Sequence, residues 1–136
     1  MFDDLTWALA IIAIFIALIF ISVFSFIPEP NKQKWSALLI AGAGSLYWMG
    51  TLEAWEMVFG TIMLFLAFKG LSDYRFVGLG WLLHTIWDFL HHANGQSLIF
   101  FDSTASLGCA ICDPVIAVWY FCGAPNIFKN LIFQKS

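Results

Sequence analysis

From Leu5 to Ile27 the chain carries no charged residue and is apolar almost throughout. At about 1.5 Å of rise per residue, a helix of that length crosses a hydrocarbon core of about 30 Å. Pro28 and Pro30 close the run, because proline lacks the N–H that would continue the helix and clashes with the preceding turn. A secretory signal would open on positive residues and end at a small-residue cleavage site. This run opens on "MFDD" and is followed by "PEPNKQK", so it reads as a retained first span.

The rest of the chain keeps the same character. It is 61% hydrophobic and 11% charged, with seven Trp and fifteen Phe in 136 residues. A soluble domain is about 45–50% apolar and about 25% charged. This chain has too little polar surface to cover such an aromatic interior in water. The fold class expected is an all-α integral membrane protein, one helical domain of about five transmembrane segments. The spans fall at about 5–27, 35–51, 53–70, 75–92 and 105–123, with an interfacial tail over 124–136. Gly42, Gly44 and Ser45 in the second span suit close helix packing in lipid. The fifth span reads as broken or re-entrant: Gly108 is a weak helix former, and Asp113–Pro114 resembles a cap followed by proline at the first helical position.

Charge placement supports five crossings. Lys32 and Lys34 lie between spans one and two, Lys69 and Arg75 between three and four, and Lys129 and Lys135 in the tail. Those six are all the basic residues of the chain. The other connections carry only Asp3 and Asp4, Glu53 and Glu56, and Asp102. By the positive-inside rule the N-terminus lies outside and the C-terminus in the cytoplasm. A net charge of −3 with no basic patch argues against a nucleic-acid partner.

Within this apolar background, "HTIWDFLHH" at 84–92 holds all three histidines and an aspartate. Each helical residue turns about 100°, so His84, Asp88 and His91 fall within about 60° of one another. His92 lies about 80° round from His84, at the edge of that face. An ionisable group at membrane depth costs at least ~2.5 kcal/mol, so such groups face protein or a water-filled cavity. Glu53 and Glu56 open the third span on the same outward side, and Cys109, Cys112 and Asp113 lie in the outer half of the fifth. Imidazoles, carboxylates and thiols at one level suit a divalent transition metal: zinc, iron or copper. The candidate ligands are His84, Asp88, His91, His92, Glu53, Cys109 and Cys112, with Glu56 and Asp113 as ligand or general base. No HExxH motif and no ExxH pair is present.

Blander uses stand beside these. His91 and His92 also suit the outer water interface, and Glu53 also suits a helix N-terminus, where a carboxylate complements the macrodipole. "CAIC" fits a disulfide, a thiolate pair on a metal, or two small packing residues. Trp48, Trp55, Trp81 and Trp87 fit core packing or an interfacial belt, or could line a lipid tail.

The run "YRFVGLGWLLHTIWDFLHH" followed by "STASLGCAICDPVIAVWYF" resembles a bacterial family of small integral membrane proteins of unknown function. The likeness spans roughly residues 30–125 and includes "AGAGSLYW" and "WE". It implies a shared polytopic fold in the bacterial inner membrane, with a Glu/His/Asp/Cys polar signature, and brings no activity. A looser analogy is to intramembrane prenyl-protein proteases, which pair glutamates with a downstream HxxxN-type motif. Here two residues separate Glu53 from Glu56, and no arginine follows Glu56 by four.

Three functions are open from the sequence. The first is a metal-dependent intramembrane enzyme acting on a lipid-like or isoprenoid substrate. The second is a metal or proton transporter or relay using the same residues. The third is a non-catalytic subunit, of a homo-oligomer or larger membrane complex, holding a pigment or haem through a histidine.

Overall fold

The computed structural model describes residues 4–49, 54–94 and 105–129. Among them are five α-helices and no strand: α1 (Asp4–Ser25), α2 (Asn31–Ser45), α3 (Ala54–Gly70), α4 (Tyr74–Ala93) and α5 (Ala105–Phe121). A short 3-10 turn, Leu46–Met49, extends α2. Glu53, the 95–104 connection and the tail beyond Lys129 lie outside the described residues.

α4 is the central helix and packs against α2, α3 and α5, while α1 lies on α5 at the edge of the bundle. α1 buries a narrow stripe of Ala13, Ala17 and Ile21, each four residues after the last and therefore on one face. Its other faces leave Trp7, Ile11, Phe15, Ile19 and Val23 exposed. The same inversion runs through α3, where Trp55, Met57, Phe65 and Phe68 are exposed while Glu56 is buried.

Close approach of the helices depends on two glycines in particular. A Cβ on Gly44 would collide with the Met63 side chain, so α2 and α3 meet there only because it is absent. A Cβ on Gly78 would lie 3.2 Å from the Ala117 carbonyl oxygen and 3.1 Å from the Phe121 ring, which sets the spacing of α4 and α5.

At the same end of that helix pair, Asp73 caps α4: its Oδ1 accepts from the Arg75 backbone N–H at 2.9 Å, and its Oδ2 pairs with the Arg75 guanidinium at 2.8 Å. These bonds from Arg75 hold the Asp73 carboxyl below its ordinary value, because they favour the charged form. Lys32 is buried in the first turn of α2, and its Nζ donates to the Ala124 carbonyl at 3.0 Å, just past α5. Glu29 Oε1 lies 3.4 Å from the same Nζ and accepts from the Tyr74 hydroxyl at 2.6 Å.

The fifth helix departs from expectation. It is not broken: it runs continuously from Ala105 to Phe121 with Pro114 inside it. Asp113 does not cap a restarting helix, because its carboxylate is turned across to α4. Proline in a helix interior costs about 3 kcal/mol. Burial of Cys112, Ile116, Ala117, Trp119 and Tyr120 outweighs that cost and keeps the axis continuous.

Among the described residues one helix, α1 over Thr6–Ser25, is long and apolar enough to cross a membrane, and Ser106–Phe121 is a shorter apolar helix. α2 and α3 are also short, at 15 and 17 residues. α4 has the length, at 20 residues, but Arg75, Asp88 and three histidines lower its hydropathy.

Candidate functional site

α4 buries a face made of Val77, Gly78, Gly80, His84, Asp88 and His91. The two glycines at its start bring α2 and α5 in close, and the histidines and aspartate then point into the resulting seam. His84 and Asp88 stand one turn apart, so their side chains meet on the helix surface. His84 Nδ1 lies 2.9 Å from Asp88 Oδ2. From α5, Asp113 Oδ2 approaches the same nitrogen to 2.7 Å.

All three side chains are buried: His84 is 4% exposed, Asp113 3% and Asp88 0%. One ligand atom from each lies within 4.8 Å of the other two. The chemistry of this contact is unusual. A ring nitrogen carries at most one proton, yet two carboxylate oxygens face it. The hydrogen bond goes to Asp113, and Asp88 Oδ2 is left buried without one. Nε2, on the far side of the His84 ring, is also buried without a hydrogen-bond partner. The other oxygen of Asp88 accepts from the Tyr47 hydroxyl, which reaches in from the 3-10 turn.

A second pair lies further along α4. His91 Nε2 is 3.0 Å from Glu56 Oε1, with both side chains buried, and Trp87 Nε1 donates to Glu56 Oε2 at 3.1 Å. The Tyr47 ring sits between the two groups, its centroid 5.4 Å from that of His84 and 5.1 Å from that of His91. Phe59 closes the same side, edge-on to Tyr47 and stacked on Trp87 at 4.5 Å.

The residues named from sequence therefore divide. His84, Asp88 and Asp113 come together as one group, and His91 with Glu56 forms another. His92 is exposed at the end of α4, away from both. Cys112 is buried, Cys109 is partly buried one turn before Asp113, and both are free thiols, as is Cys122. Glu53 falls outside the described residues. Tyr47 was not a candidate from sequence. Its signal was weak: a tyrosine at the outer end of a span, level with the first turn of "WE".

A donor set of one imidazole nitrogen and two carboxylate oxygens fits a divalent transition ion. Three protein ligands leave a coordination position open for water or substrate, which is the arrangement of catalytic rather than structural sites. The Tyr47 hydroxyl on Asp88 is the kind of outer contact that fixes a ligand's orientation.

A family model described as a family of unknown function (DUF6010) covers residues 8–126, a stretch that includes every candidate site residue named above. No curated protein and no solved structure matches.

Proposed function

The chain belongs to this family of unknown function, and from the geometry of its own residues we propose that it is an integral membrane protein holding a divalent transition metal at His84, Asp88 and Asp113. The reaction proposed is metal-dependent chemistry on a lipid-like or isoprenoid substrate. The observation that carries it is the convergence of two buried carboxylate oxygens on one imidazole nitrogen. A single proton cannot satisfy both oxygens, whereas one cation bound among the three atoms does.

The membrane reading is supported by what the bundle exposes. Large apolar side chains lie on the surface of every helix, including Ile12, Trp35, Phe68, Phe89 and Val118. Monomeric soluble proteins rarely expose contiguous apolar surface on this scale. Glu56, His84, Asp88, His91 and Asp113 are buried inside the bundle, as expected where hydrocarbon surrounds it. The alternation of basic and acidic connections supports an orientation with the N-terminus outside and the C-terminus in the cytoplasm. Residues buried at this depth favour a substrate that arrives from the bilayer.

Metal bound here would supply Lewis acidity and a water that ionises near neutral pH. Asp88 is oriented through Oδ1 by the Tyr47 hydroxyl, which leaves Oδ2 for the ion. Asp113 crosses from α5, so the ligand set ties two helices together. Glu56, held by Trp87 and paired with His91, is the proton-handling group.

Elemental analysis of detergent-purified protein tests this reading. Stoichiometric zinc, iron or copper is expected in the wild type, with loss in His84→Ala and Asp113→Asn. Wild-type protein without a stoichiometric divalent ion overturns it.

A second reading is supported by the continuity of the same contacts. Tyr47, Asp88, His84 and Asp113 form an unbroken chain at hydrogen-bonding distance, which is also the anatomy of a proton relay. Metal-free protein that moves protons in liposomes, and loses that transport in His84→Ala, would favour it.

A further inference from the structure

A cleft of about 460 Å³ opens between the start of α2, the start of α4 and the end of α5. Gln33, Asp73 and Arg75 supply its polar wall, and Tyr120 and Phe121 supply rings. That volume lies within the range of small-molecule sites, about 300–1,000 Å³. Beside it, between α2 and α3, runs a groove of about 180 Å³ lined by apolar side chains, Leu38, Leu64 and Phe68 among them. The two adjoin: Gln33 in the cleft stands one turn before Ala37 in the groove, and Ser72 in the cleft follows Leu71 in the groove. At this junction Gln33 Nε2 donates to the Gly70 carbonyl at 3.1 Å.

We propose that cleft and groove together hold one anionic phospholipid, with its phosphate on Arg75 and one acyl chain along α2 and α3. The Arg75 side chain is 76% exposed, and its bonds to Asp73 use Nε and Nη2. The two N–H groups of Nη1 remain for a phosphate oxygen. The charge balance favours an anion. Lys34 and Lys69 stand exposed at the same end, and Glu29 is taken up by Lys32 and Tyr74.

An amphiphile accounts for both cavities, whereas a free phosphate would leave the groove without a role. Basic pockets between helices at the cytoplasmic face of a membrane bind anionic headgroups, and the basic residues of this chain all fall on the side read as cytoplasmic. Nine residues separate Arg75 from His84, about 13.5 Å along the helix axis. The lipid is therefore held apart from the metal site and is not its substrate. The inference rests on the membrane reading and is independent of the metal.

Phosphatidylglycerol is the probe, titrated against phosphatidylcholine into detergent micelles of the full-length chain, with bound lipid counted by native mass spectrometry. The wild type is expected to retain one phosphatidylglycerol in preference to phosphatidylcholine. Loss of a charge-assisted hydrogen bond weakens binding roughly 10–100-fold, so Arg75→Gln should lose that preference. Cys122→Trp, which fills the cleft from the α5 side, should lose it too. Lys34→Gln, outside the cleft, should keep it. Equal retention of the two lipids by the wild type, or undiminished retention in either cleft variant, overturns the proposal. Displacement of phosphatidylglycerol by glycerol phosphate alone would make this a free-phosphate site and overturn the lipid assignment. Full-length chain recovered in aqueous extract without detergent would overturn the membrane reading, and this proposal with it.

Discussion

His84 Nδ1 and Asp113 Oδ2 lie 2.7 Å apart across the α4–α5 seam, and Asp88 Oδ2 stands 2.9 Å from the same nitrogen. The two aspartates do not play equivalent parts in this contact. Removing the ring leaves two buried carboxylates facing each other, while converting Asp113 to its amide removes one charge and keeps the shape. His84→Ala is therefore expected to destabilise metal-free protein more than Asp113→Asn. Breaking a buried pair by removing one partner costs roughly 3–5 kcal/mol, so thermal unfolding in detergent resolves the difference. Equal midpoints for the two variants would contradict the geometry.

Tyr47→Phe keeps the ring that packs against Phe59, His84 and His91 and removes only the hydroxyl on Asp88. Loss of such an outer contact weakens metal binding about 10–100-fold. Competition with a chelator should read that loss while circular dichroism stays unchanged. Undiminished affinity would mean that Asp88 needs no orientation.

Asp73 gives a pH dependence at the opposite end of α4. Arg75 holds its native carboxyl below the unfolded value of about 3.9. The contribution to stability is therefore fully present above that value and disappears as pH falls through the lowered native one. Asp73→Asn still caps the helix but loses the charge. The stability difference between wild type and variant should shrink as pH drops through that window. A difference independent of pH would exclude the ion pair as its source.

Orientation is tested by thiol labelling. A cysteine at Lys129, on a Cys122→Ser background, should react with a membrane-impermeant maleimide only from the cytoplasmic side. Reaction from the outside would reverse the assignment for the whole site.

The legible part of this fold was its helices and the inner face of α4. His84 and Asp88 could be paired from spacing alone, because four residues make one turn. His91 shares their angular face, but seven residues add about 10.5 Å along the axis, too far to reach the same ion. Angle was readable and axial distance was underweighted, so His91 meets Glu56 instead. Asp113 was legible as an outward-half carboxylate but not as a neighbour of His84, since that depends on the α4–α5 register. Pro114 announced a break that packing cancelled. Tyr47 was hidden because its position depends on the 3-10 turn and on Trp48 lying over Gly60. Both are tertiary effects without a local signal.

Pro114 has a mechanical consequence as well. Lacking an N–H, it leaves the Ala110 carbonyl without the usual partner four residues on, so one rung of the α5 ladder is absent beside Asp113. Below it, Lys32 clamps the chain just past the end of the helix. Bending α5 at this rung breaks no backbone bond, unlike bending it elsewhere along its interior. The helix thus acts as a lever fixed at one end, with its compliant joint next to the carboxylate that bridges to His84.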